Sequence, residues 1–398
     1  MKIIHVANIR LPTEKAHGIQ IMKMCEALAA VGVNVELFVP SRSDNHLKML
    51  DPFDYYSVPK NFEIKYLLSF DPGFLRALKQ GIYIKFQSFF FLISLFFYLL
   101  FRGRGEILYT RNEYLLPLLL KFSKRVFWEP HTLPKNQSAY LGYWKKCAGI
   151  IAISGGLIRE LVKLGIDGQK MIVAPDGVDL EKFSARGGSA FGGKSQELVD
   201  KNREELGLPP DAKLVMYTGH LYEWKGAGTL LAASRSPKFQ NKNIRFVFVG
   251  GTKYDIARFQ KQASGVENIL ILGHRPYSEI PKYLAAADVL VLPNSGKFEI
   301  SRTQTSPLKL FEYMASNRPI IASDLPSIRE ILDESTALLA EPDNPGSLAD
   351  GIFTILNDEN LGRKIAENAG RKAREYTWEK RAQKVISAIR GALTQSRI

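Results

Sequence analysis

Cysteine is nearly absent: 398 residues contain only Cys25 and Cys147. Two scattered thiols, one inside a helical pattern and one after Lys146, make neither a disulfide framework nor a zinc cage, so a reducing cytoplasmic compartment is expected. The apolar start, Met1–Ala7, is too short for a secretion signal and reads as a first buried strand. Acidic residues are missing from Pro72 to Arg104, while Arg76, Lys79, Lys85, Arg102 and Arg104 are basic. Within that segment Phe86–Phe101 carries no charge, but its 16 residues fall short of the roughly 20 needed to span a bilayer. Two readings stay open: a buried helix, or a surface helix dipping into an anionic leaflet with its basic ends at the headgroups.

What is present is ordinary for a globular chain: 45% hydrophobic, 11% aromatic and 24% charged residues, which excludes disordered and collagen-like classes. The length suits two domains. The net charge of +14 is uneven, with 23 basic against 13 acidic residues in 1–175 and 31 against 27 in 176–398. The excess favours a phosphate-rich or anionic-membrane partner over a merely soluble basic surface. Continuous apolar runs predict strands at Ile3–Ala7, Val35–Val39, Ile107–Tyr109, Val126–Glu129, Ile150–Ile153 and Met171–Ala174. A second series lies at Leu214–Thr218, Arg245–Val249, Ile269–Leu272, Val289–Leu292 and Pro319–Ala322. Helical spacing between them implies α/β architecture, with parallel sheets covered on both faces. A glycine-rich linker, 184–199, separates a domain at 1–183 from one at 200–377.

Gly188 to Ser195 fits the P-loop template formally, but the last strand ends near Ala174 and does not deliver the loop, so a flexible spacer explains the glycines better. Gly18 opens a helix after a long loop and lets backbone approach a ligand, although a turn glycine serves as well. The segment Thr305–Ala315 is more informative. Ser306 reads as an N-cap and Pro307 as the first helical turn, leaving the amides of Leu308 and Lys309 as an anion seat. Glu312 lies one turn further on the same face, where a carboxylate suits the vicinal hydroxyls of a ribose; a capped helix with a solvated Glu is the plain alternative. Tyr217–Gly226 follows a strand and places Gly219, His220 and Lys225 at its carboxyl end, where Lys225 can set a point charge against a diphosphate. His131, in Phe127–Pro134, also ends a strand and is a candidate acid, base or hydrogen-bond donor.

In this order, these residues resemble the family 4 retaining glycosyltransferases of GT-B architecture. The resemblance covers essentially the whole chain. It includes Tyr109–Asn112, Ala152–Ser154, Pro175–Asp179, Val249–Gly251, Leu272–Gly273 with Pro276, Tyr283–Pro293 and Tyr376–Glu379. It implies two doubly wound Rossmann-like domains facing each other across a cleft, the first binding acceptor and the second nucleotide-sugar, with a C-terminal helix at about 378–398 crossing back. It further implies that Glu312 holds the donor ribose and that the turn Ser306, Pro307, Leu308 and Lys309 holds phosphate. Lys225 would neutralise the leaving diphosphate, His131 would bond the donor sugar or its developing charge, Gly18 would line the acceptor–diphosphate junction, and His274 and Arg275 would border the nucleobase. Two positions depart from the pattern: His220 stands where the family usually has Arg, and Gln304 where it often has a second Glu.

The reaction implied is transfer of a hexose-type sugar, with retention, from a UDP- or GDP-linked donor. The acceptor would be a glycan or a lipid-linked cell-envelope intermediate at the inner face of the membrane. Because no Asp-x-Asp pair occurs, no metal and no other cofactor is expected. A sugar-nucleotide epimerase of the same architecture is the nearest alternative. A nucleic-acid-binding role is not expected, because the Phe-rich run is too apolar and uninterrupted for a basic stacking groove.

Overall fold

The computed structural model describes residues 1–41, 47, 49–69, 80–102, 105–184 and 195–395. The chain forms two compact units, Met1–Pro175 with Trp378–Ile398, and Asp176–Thr377. The division falls at Pro175–Asp176, ahead of the linker anticipated at 184–199. The cause is local: Val178 pairs with Thr377 and donates its amide to the Tyr376 carbonyl at 2.9 Å, and Phe183 is buried in the second unit's core. Residues 185–194, which hold most of that linker and of the P-loop-like pattern, lie outside the described residues.

The first unit holds seven parallel strands: β1 (Lys2–Val6), β2 (Asn34–Pro40), β3 (Glu63–Leu67), β4 (Ile107–Thr110), β5 (Val126–Trp128), β6 (Gly149–Ala152) and β7 (Met171–Val173). The second holds six: β8 (Lys213–Thr218), β9 (Ile244–Val249), β10 (Ile269–Gly273), β11 (Val289–Leu292), β12 (Ile320–Ser323) and β13 (Leu338–Ala340). Their spatial orders are 3-2-1-4-5-6-7 and 10-9-8-11-12-13. Each order reverses beside its first strand, at β1/β4 and at β8/β11. In such sheets the crevice that takes ligands opens at the carboxyl ends of the strands flanking the reversal. β3 and β13 were not anticipated. Both are edge strands, and β3 alternates Glu63 and Lys65 with apolar residues instead of forming a continuous run; Lys65 pairs with Glu36 of β2 at 3.2 Å.

Gln80–Arg102 is one helix. Phe91, Leu95 and Leu99, four residues apart, are buried in the first unit's core, while Phe89, Phe97, Leu100 and Phe101 on other faces are more than half exposed. Core and surface are thus two faces of one element. Among the described residues no helix is long and apolar enough to cross a membrane. At the other end of the chain, Trp378–Gln395 packs on the helix Ala16–Ala30 in the first unit, burying Ala382, Val385 and Ile389.

Candidate active site

In the second unit, the loops leaving β8 and β11 interlock at the sheet's reversal. Gly226 sits at φ +72°, and a Cβ there would fall 1.6 Å from the Pro293 carbonyl oxygen, so only glycine permits this approach. Ser295 donates its amide to the Trp224 carbonyl at 3.0 Å. Gly219 (φ +122°) and Gly250 (φ +118°) make a similar crossing, where a Cβ on Gly250 would lie 2.4 Å from the Gly219 oxygen. The site's backbone is therefore set by close packing of glycines at strand ends.

Two lysines point into this corner. The Lys225 ammonium lies 3.9 Å from the Trp224 ring centroid, and desolvation pulls it down to about 8. Lys309, the second residue of the helix Leu308–Ala315, is only 7% exposed. Its Nζ rests 3.7 Å from the Tyr217 ring centroid and has no hydrogen-bond partner among the described residues. Burial, then the charge of Lys225, hold it well below the ordinary lysine range, against the pull of Glu312. Burial in turn pushes the Glu312 carboxyl up to about 7, opposed by a hydrogen bond from Tyr277 and by Lys309. Two desolvated lysines that repel each other, with one carboxyl acting on Lys309, make a corner that gains from a bound anion.

The start of this helix differs from expectation. Pro307, not Ser306, occupies the cap position, and no side chain caps the helix amides. Ser306 falls one residue too early; its hydroxyl instead accepts the amide of Asp176 at 3.1 Å, tying the start of this unit to the site. Gln304 is buried at the end of the wide turn Ile300–Gln304. His220 stacks on Tyr222 (centroids 4.8 Å apart, planes 6°), and its carbonyl accepts the Tyr217 hydroxyl at 2.5 Å. His274, exposed, and Arg275, half-buried, follow β10 at the sheet edge, two strands from β8. Tyr277 and the fully buried Asn294 were not singled out in the sequence. Neither amide atom of Asn294 is bonded among the described residues, and its place directly after the β11 strand and Pro293 was the available signal.

In the first unit, His131 belongs to a polar cluster that the sequence reading missed. Glu129, fully buried at the end of β5, accepts Gln20 Nε2 and His131 Nε2, each at 2.7 Å. Its other oxygen accepts the Tyr109 hydroxyl and lies 3.0 Å from Arg381 of the C-terminal helix. Arg111 donates to Gln20 Oε1 at 2.6 Å. Burial opposes the charge, but Arg381, the His131 hydrogen bond and Arg111 outweigh it and hold the Glu129 carboxyl well below the usual range. Burial, then Arg111, push His131 down to about 3, so its ring is neutral. Gly18 has a packing reason of its own: a Cβ would meet the Tyr56 hydroxyl at 2.2 Å, and that hydroxyl bridges the amide and carbonyl of Thr13, both at 2.8 Å.

Two parallel Rossmann-like units, each with its polar residues at the reversal of the sheet, define the α/β GT-B class. The family described as "Glycosyltransferase Family 4" matches residues 18–182, and that described as "Glycosyl transferases group 1" matches 212–358. The chain belongs to the family 4, group 1 glycosyltransferases. It is 27% identical over 244 residues to a D-inositol 3-phosphate glycosyltransferase of Corynebacterium glutamicum (strain R), covering 58% of this chain. That match spans 54% of the relative, about half its length. A D-inositol 3-phosphate glycosyltransferase of Xylanimonas cellulosilytica is 23% identical, with 97% of this chain and 94% of the relative aligned. Among solved structures, Anabaena Alr3699/HepE in complex with UDP superimposes with a TM-score of 0.72 at 15% identity, over 98% of this chain and all of that one.

Proposed function

We propose that this protein is a retaining glycosyltransferase that moves a hexose-type sugar from a UDP- or GDP-linked donor to a glycan or lipid-linked intermediate of the cell envelope. The observation that carries this reading is the buried Lys309, which feels the charge of the desolvated Lys225 on one hand and the buried carboxyl of Glu312 on the other. Breaking a sugar–diphosphate bond builds negative charge on the leaving phosphate and positive charge on the sugar. The two ammoniums and the uncapped amides at Leu308–Lys309 oppose the first charge and act most strongly when it is fully developed. The bound anion also offsets the desolvation that holds both lysines down, so it restores their charge. Glu312 accepts the vicinal ribose hydroxyls, Gln304 bonds the sugar, His274 and Arg275 border the base, and His131 and Gly18 serve the sugar and acceptor side. With side chains and amides supplying the counter-charge, the reaction needs no metal. The similarity to D-inositol 3-phosphate glycosyltransferases supports glycosyl transfer, and that to a UDP-bound structure supports a nucleotide-linked donor.

Thermal-shift titration with UDP, GDP and ADP on the wild type and Glu312→Ala tests this. Stabilisation by one nucleotide, lost in the variant, is the expected result, and no response to any nucleotide overturns it. The anomeric configuration of the product by NMR tests retention, and full activity after EDTA tests metal independence.

The acceptor side is proposed to work at the inner membrane face. Support comes from the exposed Phe89, Phe97, Leu100 and Phe101 on the helix Gln80–Arg102 and from the acid-free, basic sequence around it. Replacing Arg102 and Arg104 by Ser should weaken binding to vesicles containing anionic lipid, and unchanged binding counts against the membrane reading.

A further inference from the structure

We propose that Glu129 is a positioning residue that locks His131 as a neutral imidazole protonated on Nε2, so that His131 presents a hydrogen-bond acceptor, Nδ1, to a hydroxyl of the bound sugar. The proposal rests on the reading that His131 contacts the sugar. It follows from donor and acceptor accounting. An ionised carboxylate only accepts, so the 2.7 Å contact between Glu129 Oε1 and His131 Nε2 requires the proton on Nε2. Burial and the charge of Arg111 keep a second proton off the ring, so it has one lone pair left, on Nδ1, to which no described residue donates.

The carboxylate is held in place from three other elements. Gln20 comes from the helix Ala16–Ala30, Tyr109 from β4, Arg111 acts through Gln20, and Arg381 comes from the C-terminal helix. Arg381 is itself fixed by donation to the Pro175 carbonyl at 2.9 Å. The remaining titratable neighbours, His5 and Cys25, are buried and contact each other at 3.4 Å. The neighbouring guanidiniums also disfavour a second proton on the ring, which agrees with its downward shift. His131 is thereby removed from the role of acid or cationic stabiliser and kept as an acceptor.

Glu129→Gln makes a sharp test. Arg381 only donates, so the new amide turns its oxygen toward Arg381 and its NH2 toward His131 and Gln20, and the Gln20 amide flips to accept it, releasing Arg111. The ring then has to accept at Nε2 and carry its proton on Nδ1. Histidine ring 15N–1H spectra of the full-length protein, with His131→Gln to assign the signal, read this directly. The expected result is an Nε2–H ring from pH 8 down to pH 5.5 in the wild type and an Nδ1–H ring in Glu129→Gln. A doubly protonated or Nδ1–H wild-type ring, or an unchanged ring in the variant, overturns the proposal. Calorimetry with UDP-glucose and GDP-mannose against UDP and GDP supplies the second readout. The variant should bind the free nucleotide unchanged but lose about 10-fold or more of the affinity for the nucleotide-sugar. Equal loss for both would mean a merely structural role and would overturn it. Absence of nucleotide binding in the wild type would sink the functional reading, while the spectra would still decide what Glu129 does to the ring.

Discussion

The two units treat buried charge in opposite ways. In the first, the Glu129 carboxylate is surrounded by donors: Gln20, Tyr109, His131 and the Arg381 guanidinium. In the second, the Lys309 ammonium rests on the face of Tyr217 without a hydrogen bond among the described residues, beside the like charge of Lys225. The Glu129 carboxylate has its donors in the protein alone and therefore fixes geometry. The second cluster lacks a hydrogen-bonding partner for Lys309 among the described residues, and under the proposed function an anion from outside completes it. Burial is similar in both; what differs is whether the chain supplies the partner.

Removing a buried cation from each unit breaks this comparison most severely. Arg381→Met leaves the Glu129 charge without its ion-pair partner and should destabilise the protein by about 3–5 kcal/mol, measured by denaturant unfolding. An unchanged midpoint would show that Glu129 does not need the C-terminal helix. The pH dependence comes next. Glu129 is depressed, so its contribution is present above the ordinary Glu range and is lost only in acid, as the pH falls through its folded value. Glu312 is raised to about 7 from an ordinary 4.5, so the folded state holds its proton longer than the unfolded chain does. Its contribution is full below about 4.5 and is lost as the pH rises through 7, a fall on the order of 3 kcal/mol. Glu312→Gln should flatten that part of the stability–pH curve, and a slope identical to wild type would contradict the shift.

Lys309→Met should act in the opposite sense to Arg381→Met. Thermal melting of the unliganded protein should stay level or rise, because an unpartnered desolvated charge is removed. UDP affinity should fall by about 10- to 100-fold, or roughly 1.4–2.8 kcal/mol. Lower stability with unchanged affinity would place Lys309 in the first category instead. The smallest effect is expected at the surface, where replacing Arg102 and Arg104 together should cost about 1 kcal/mol of vesicle binding per residue, read by sedimentation with anionic lipid.

The strand series was legible because parallel strands buried on both faces are written as continuous apolar runs. β3 escaped because an edge strand with Glu63 and Lys65 reads as a charged loop. Lys225 and His131 were legible as candidates because they follow strands in recognisable motifs, and Glu312 because it lies one helical turn past Leu308 in such a motif. Ser306 was assigned to the wrong device, since cap propensity cannot tell that Asp176, 130 positions away, takes its hydroxyl. Tyr277, Gln20 and Arg381 carried no local signal, because their partners are remote in sequence.

The sequence by itself determined the two parallel sheets, the segments that end at each sheet's reversal and the family to which they belong, because periodicity, glycine placement and motif order are local properties of a chain. Tertiary structure alone decided which charges are partnered. Gln20, Tyr109 and Arg381 meet at Glu129 only after the chain has folded, and Lys309 loses its solvent without gaining a hydrogen-bond acceptor among the described residues only when its helix packs over Tyr217. Desolvation and hydrogen bonding depend on what surrounds an atom in space, and no spacing along the chain encodes that.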